Sequence, residues 1–495
     1  MSKNDAIWII LLIIIGLITT LPFWNAKGDD AFITFRFVKN FVDHGQLAYN
    51  LGEPSYGFTS PLWIGILSAL YFIFRDMYIA AWIACFLSLI AMVVALWVLV
   101  SKVVENRTLR IISILFLLID PWFIRWAFSG QEIVFKIFIA TSLILIGSRC
   151  LENEKMQLWR YCLAGLVFVV GVLTRPEFMA LLVITIFVAL TIRKYKAALF
   201  ILITFVIFYG AWALFCKNQF GSFYPHTILV KTSLSKNIGI ADSIKQMIKW
   251  ALPRYFLIII LPVIPLITIS FIMVVPKKNL LRTIKAPITI LIMILWVVCV
   301  TLAYFLSGTY MASMYTLIFS PFIPIFCIAI LYKTKESISE KRMSNYVFAT
   351  LLFALIIGFG VISLRLGSYS WLVSDRYNRG DDSRYIEYAE WINKNLPDSA
   401  RIATEELGIV GWFGQRYMID LAGIATPSLL KPGADDTLVA LKPTHFTFYG
   451  KPIDKYKNFE LKPIKSVQFR RIGGRYSLDY LDTCTLYEVV AILGR

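Results

Sequence analysis

Two unbroken runs without a charged side chain, Ala6–Trp24 and Tyr78–Val100, constrain this chain most. Each is close to the ~20 apolar residues that a bilayer core requires. The first lacks the small-residue cleavage site of a removable signal peptide, so it reads as a retained membrane helix. The composition agrees: 58% hydrophobic residues, 16% charged residues and a mean hydropathy of +0.70 over 495 residues describe an integral membrane protein. The 7 cysteines lie mostly in apolar segments, with Cys484 in the polar tail, so no disulfide framework is implied. The 3 histidines show no metal-ligand spacing.

The net charge of +18 is informative through its placement. With Lys3 on the cytoplasmic side, the sequence predicts eleven crossings: Ala6–Trp24, Tyr78–Val100, Ile111–Trp122, Ile133–Gly147, Tyr161–Leu173, Phe178–Ile192, Ala197–Phe215, Tyr255–Val275, Pro287–Leu306, Ala312–Leu331 and Val347–Leu366. The cytoplasmic loops then hold clusters such as Arg193, Lys194 and Lys196, or Lys277, Lys278, Arg282 and Lys285, as the positive-inside bias requires. The basic balance is a topology signal, and nucleic acid is excluded as a partner. Pro61–Phe74 falls short of the ~17 residues of a minimal span and is expected to be interfacial or re-entrant.

This topology puts a membrane domain at residues 1–366, with external loops at 25–77 and 217–254, and an external α/β domain at 367–495. In that tail, Ile386, Ala389, Ile392 and Leu396 repeat with a helical period. A Pro-Asp turn, a strand Arg401–Thr404, a short helix and a strand Tyr417–Asp420 follow. No internal repeat or nucleotide-binding glycine fingerprint is present.

Polar motifs gather on the external side. "KGDDAFITFRF" sets Asp29 and Asp30 at the start of an amphipathic helix, with Arg36, Asn40 and Asp43 on the side of Asp29 and Ile33, Phe37, Val38 and Phe41 elsewhere. Such a helix suits a membrane interface, and its dipole favours ionised aspartates at its start. After Gly28 both cannot be the N-cap. "NLGEPSYGFTSPLW", "SGQE", "LTRPEF", "FGSFYPHTILVKT" and "MIDLAGIATP" fall on the same side. Each also has a plain structural reading: Arg175 and Glu177 as a local ion pair, His226 as a capping residue.

In order, this series resembles the bacterial polyprenyl-phosphate-dependent glycosyltransferases of the GT-C fold, above all the branch of cell-wall terminal arabinofuranosyltransferases. The resemblance spans nearly the whole chain. With the eleven expected crossings, it implies an α-helical polytopic GT-C protein with a C-terminal extracytoplasmic α/β domain, multi-pass in the bacterial cell membrane, and a lipid-phosphate sugar donor. It also implies an external active site and a catalytic base in the Asp29–Asp30 pair, with Asp29 the first choice. His226 stands where the branch usually has Asn, and "TYMASMYTLIFSPFIP" lacks the branch's arginine.

The chemistry is coherent with that likeness. Nucleotide sugars are absent outside the cytoplasm, so an external transferase needs a sugar on a lipid carrier. Phosphate is a competent leaving group, which leaves deprotonation of an acceptor hydroxyl and stabilisation of phosphate charge to the protein. Lys231, His226, Arg175 and Arg125 are the expected donor-phosphate cations, Lys231 first. Arg36, Tyr56, Thr59, Ser60, Glu132, Glu177 and Tyr224 are expected to bind substrate. No cofactor is demanded, although a divalent cation on Asp30 is left open. The expected reaction is an inverting transfer from a polyprenyl-phosphate sugar, such as arabinofuranose or another pentose, to a cell-envelope glycan or glycolipid. A transporter or flippase of lipid-linked sugars and a cell-envelope assembly protein are the alternatives.

Overall fold

The computed structural model describes residues 3–25, 27–153, 156–235, 287–306, 317–337, 381–430, 433–449, 456–471 and 480–493. Four described helices are long and apolar enough to cross a membrane. In the numbering used below these are α1 (Lys3–Thr20), α4 (Met77–Val103), α7 (Ile133–Glu152) and α10 (Tyr195–Phe220). Shorter apolar helices are α3 (Pro61–Phe74), α8 (Leu158–Thr174), α9 (Met179–Thr191) and the helix Pro287–Leu306. The expected crossings Tyr255–Val275 and Val347–Leu366 lie outside the described residues, as does the loop beyond Ser235.

The expected crossing Ile111–Trp122 is broken instead into α5 (Arg107–Leu118) and α6 (Pro121–Trp126). The break follows from Asp120 and Pro121. The buried Asp120 carboxylate caps α6 by accepting the N–H of Trp122 at 2.8 Å, and Pro121 occupies the first turn, where it needs no donor. The stretch cannot therefore run as one helix.

Between α1 and α3 lies α2 (Asp29–His44), closed at its end by left-handed Gly45. Neither aspartate is its N-cap; Gly28 holds that position in an extended conformation. Nor does α2 merely lie on an interface. It buries Ala31, Phe32, Phe35, Phe37 and Val38, packing on α3 and on the helix Gly408–Gly414 of the C-terminal region. Its apolar residues recur around most of the helix because it is covered from two sides.

The C-terminal region forms a five-stranded sheet in the order β4-β3-β5-β7-β6, with β3 (Arg401–Thr404), β4 (Tyr417–Asp420), β5 (His445–Tyr449), β6 (Phe459–Arg471) and β7 (Tyr480–Ile492). The strand β3 is parallel to β4 and β5, and the β5-β7-β6 part is antiparallel. Of the expected period in helix Asp381–Asn395, Ala389 and Ile392 are buried and Ile386 half-buried, and Leu396 is buried just beyond the helix. One hydrophobic cluster runs from the membrane helices through Phe32, Phe35 and Ile409 to Ile402 and Leu486. A second, smaller cluster around Phe446 and Phe448 includes the buried Ala403 and Ile419. The free edge of β4 is occupied by Asn50 at the end of β1 (Ala48–Asn50). Its amide donates to Met418 O at 2.7 Å and accepts the Met418 N–H at 3.1 Å, a pairing that closes the strand edge.

Candidate active site

Successive side chains on a helix diverge by about 100°, so adjacent aspartates at the start of α2 cannot do the same work. Asp29 turns to the C-terminal region. Its Oδ1 accepts the backbone N–H of Ile409 at 2.8 Å, at the start of helix Gly408–Gly414. Asp30 is exposed and lines a cavity.

That cavity is assembled from distant segments. Ile33, Thr34 and Phe37 enter from α2, Gly57, Phe58, Thr59 and Ser60 from the turn before α3, and Ile64 from α3. The start of α7 contributes Gln131, Glu132, Ile133 and Lys136. Arg175 enters at the end of α8, Thr227 from α11 (His226–Ser235), and Ile424 from the loop after β4. The walls are thus mixed: isoleucine and phenylalanine side chains beside hydroxyls, two carboxylates and two cations.

Arg175 is the best-connected of these groups. Its guanidinium grips both Glu177 oxygens, at 2.7 and 3.1 Å, and reaches Glu132 Oε1 at 3.0 Å and Thr59 Oγ1 at 3.2 Å. The planar fork of arginine suits such a bidentate contact. The Tyr304 hydroxyl also donates to Glu177. The expected local pair of Arg175 and Glu177 therefore exists, and it ties the end of α8 to α7 and to helix Pro287–Leu306.

Asp30, Thr59, Ser60, Glu132 and Arg175 come together here, while Glu177 stands behind Arg175. The other expected residues do different work. Arg36 donates to the carbonyls of Tyr49 at 2.9 Å, Gly411 at 2.7 Å and Arg416 at 2.8 Å, which spends its fork on the C-terminal region instead of a substrate. Tyr56 is buried, stacked on Phe220, with its oxygen accepting from Trp212. Arg125 lies over the rings of Phe23 and Trp126, away from the cavity lining. Tyr224 is exposed and outside the lining. Lys231 lies on α11, and its side chain falls outside what is described.

His226 is a joint between regions. Its backbone N–H donates to Tyr56 O at 2.8 Å, and its ring bonds the backbone of Ile424. Burial holds its pKa below the ordinary histidine value, against the opposing pull of that bond. Ile424 comes so close that a Cβ on Gly57 would lie 3.0 Å from its carbonyl oxygen. Glycine at 57 is what lets the C-terminal loop close one wall of the cavity.

Gln131, Lys136, Thr34, Thr227 and Ile424 escaped the sequence-based site. Lys136 had a signal, a charge inside the expected crossing Ile133–Gly147. Thr227 and Ile424 sat in quoted motifs, but nothing in their type marks them as lining residues. Among the described residues, no group of three or more His, Cys, Asp or Glu side chains comes together as a metal site.

Comparison with known proteins gives the fold a class. A family model described as a domain of unknown function (DUF8728) matches residues 374–488. No curated protein matches the chain in sequence. Among solved structures, the chain is similar to ArnT from Cupriavidus metallidurans in the apo state, with a TM-score of 0.60 at 11% identity, covering 100% of both chains. The same enzyme bound to undecaprenyl phosphate gives 0.59 at 11% identity, covering 99% of both. The archaeal oligosaccharyltransferase AglB from Archaeoglobus fulgidus, in complex with an inhibitory peptide and a dolichol-phosphate, gives 0.53 at 12% identity, covering 90% of this chain and 69% of that one. At such identities the likeness is one of fold alone: the chain has the GT-C fold that these structures share.

Proposed function

We propose that the protein is a membrane glycosyltransferase that moves a sugar from a polyprenyl phosphate to an acceptor hydroxyl, with Asp30 as the general base. The observation that carries this reading is the exposed Asp30 carboxylate on a cavity that also holds Arg175 and Lys136, in a chain with the GT-C fold. Asp29, the first choice from sequence, is the weaker candidate because it turns to the N–H of Ile409 and is not among the residues that line the cavity. The solved relatives carry undecaprenyl phosphate or dolichol-phosphate, which supports a lipid-phosphate donor here.

In this mechanism the acceptor oxygen attacks the anomeric carbon as Asp30 takes its proton. The bond from that carbon to the phosphate oxygen breaks, and the polyprenyl phosphate leaves with the electron pair. Arg175 holds Glu132 and Thr59 in place beside the phosphate. Lys231, four residues after Thr227 on α11, is retained as a phosphate contact. Direct displacement inverts the anomeric configuration. The sugar is a pentose such as arabinofuranose and the acceptor a cell-envelope glycan or glycolipid. The cavity and the C-terminal region face the extracytoplasmic side of the bacterial cell membrane.

Incubating the purified protein with polyprenyl-phosphate pentoses and hexoses and envelope glycan acceptors tests this directly. The expected outcome is an inverted product from a pentose donor. A retained configuration, or a trapped glycosyl-enzyme adduct, rejects the displacement mechanism.

A further inference from the structure

Lys136 is 3% exposed, lies in the first turn of a helix long enough to span a membrane, and lines the cavity beside Glu132. A cation there is expensive in an apolar environment, and such residues mark paths for charged ligands. The mechanism above leaves it without a role.

Its surroundings narrow the ligand. Two carboxylates share the lining with it: Glu132, which has the Arg175 guanidinium at 3.0 Å, itself matched by Glu177 at 2.7 Å, and Asp30 at the start of α2. Donors, by contrast, are plentiful. The Thr227 hydroxyl oxygen is buried without a hydrogen-bond partner and belongs to the same lining. Thr59, which accepts from Arg175, has a hydrogen to give, and Thr34 and Ser60 line the same walls. The start of α7 adds backbone N–H groups and the positive end of its dipole. A cation, several hydroxyls and a helix start match an oxyanion rich in acceptor atoms. A group arriving along a membrane-spanning helix carries its apolar part in the bilayer.

Resting on the proposed function, we propose that Lys136 binds the phosphate of the polyprenyl carrier, with Thr227 as a neighbouring donor. The lysine engages the phosphate in the donor and follows the charge that gathers on its oxygens as the sugar leaves. A structural counter-ion to Glu132 would affect stability; a phosphate ligand affects selectivity between charged and neutral lipids.

The test compares binding of undecaprenyl phosphate and undecaprenol to the full-length protein in nanodiscs. Wild type should prefer the phosphate by about tenfold or more, the scale of a charge-assisted hydrogen bond. Lys136→Met should remove most of that preference, and Lys136→Arg should keep most of it. Thr227→Val, a nearly isosteric change, should lower the preference several-fold and serves if Lys136→Met does not fold. A preference that survives intact in Lys136→Met, or in Thr227→Val where Lys136→Met is lost, overturns this assignment alone. Equal binding of the two lipids by the wild type overturns the polyprenyl-phosphate reading, and the assignment with it.

Discussion

The Asp420 carboxylate is fully buried at the end of β4, and its oxygens accept the N–H groups of Ala422 at 2.9 Å and Ala425 at 2.7 Å. It thereby shapes the loop that delivers Ile424 to the cavity. Burial outweighs these bonds and pushes its pKa up to about 6, from an ordinary value of 3.8. Because the folded state holds this proton more tightly than the unfolded chain, the stability contribution is fully present below about pH 3.8. It is lost as pH rises through about 6. Melting curves of wild type and Asp420→Asn across pH 3.5 to 7, an interval chosen to bracket both values, should therefore converge or diverge along this sign. The wild type loses stability relative to the variant as pH rises, and a flat difference contradicts the account. At this scale the sequence could reveal only so much. Asp420 was legible as the end of a strand, but its carboxylate is surrounded by the backbone amides of Ala422 and Ala425, which only the folded loop brings around it. Arg36 was expected at the substrate and Arg125 at the donor phosphate, yet carbonyls in one case and aromatic rings in the other claim them.

Helix α2 meets the C-terminal region at a point of close approach. A Cβ on Gly408 would lie 2.2 Å from the Asp29 carbonyl oxygen and 2.4 Å from its carboxylate. Gly408→Ala should push helix Gly408–Gly414 off α2 and destabilise the protein by about 1–3 kcal/mol, the usual cost of overpacking. Gly65→Ala, in α3 with nothing within 4 Å of the added atom, is the matched control. It should be neutral or stabilising by up to about 1 kcal/mol. Thermal melting of the two variants decides, and equal melting temperatures contradict the packing described. Elements were the most legible level of this molecule. The start of α2 at Asp29, the 14 residues of α3 and the strands Arg401–Thr404 and Tyr417–Asp420 all follow from local pattern. What periodicity could not reveal is which elements pack together. The amphipathic α2 reads as a membrane-surface helix because its second partner, Trp412 and Phe413 against Phe32, lies nearly 400 residues away in sequence.

On the scale of the whole molecule, the cavity joins α2, the start of α7, the end of α8, α11 and the loop after β4, and no local pattern announces that convergence. The membrane helices and the C-terminal region share one hydrophobic cluster, and Asp29, Arg36, Asn50 and His226 stitch them together. The two aspartates divide accordingly: one holds the regions together and the other faces the cavity. Comparing Asp30→Asn with Asp29→Asn in transfer from a polyprenyl-phosphate sugar tests this division, with melting temperature followed in parallel. Asp30→Asn should lower kcat by about 10²–10⁴-fold, the range of a lost general base, at an unchanged melting temperature. Asp29→Asn should lower the melting temperature and retain most of kcat. Loss of turnover confined to Asp29→Asn in a stably folded protein would contradict the account.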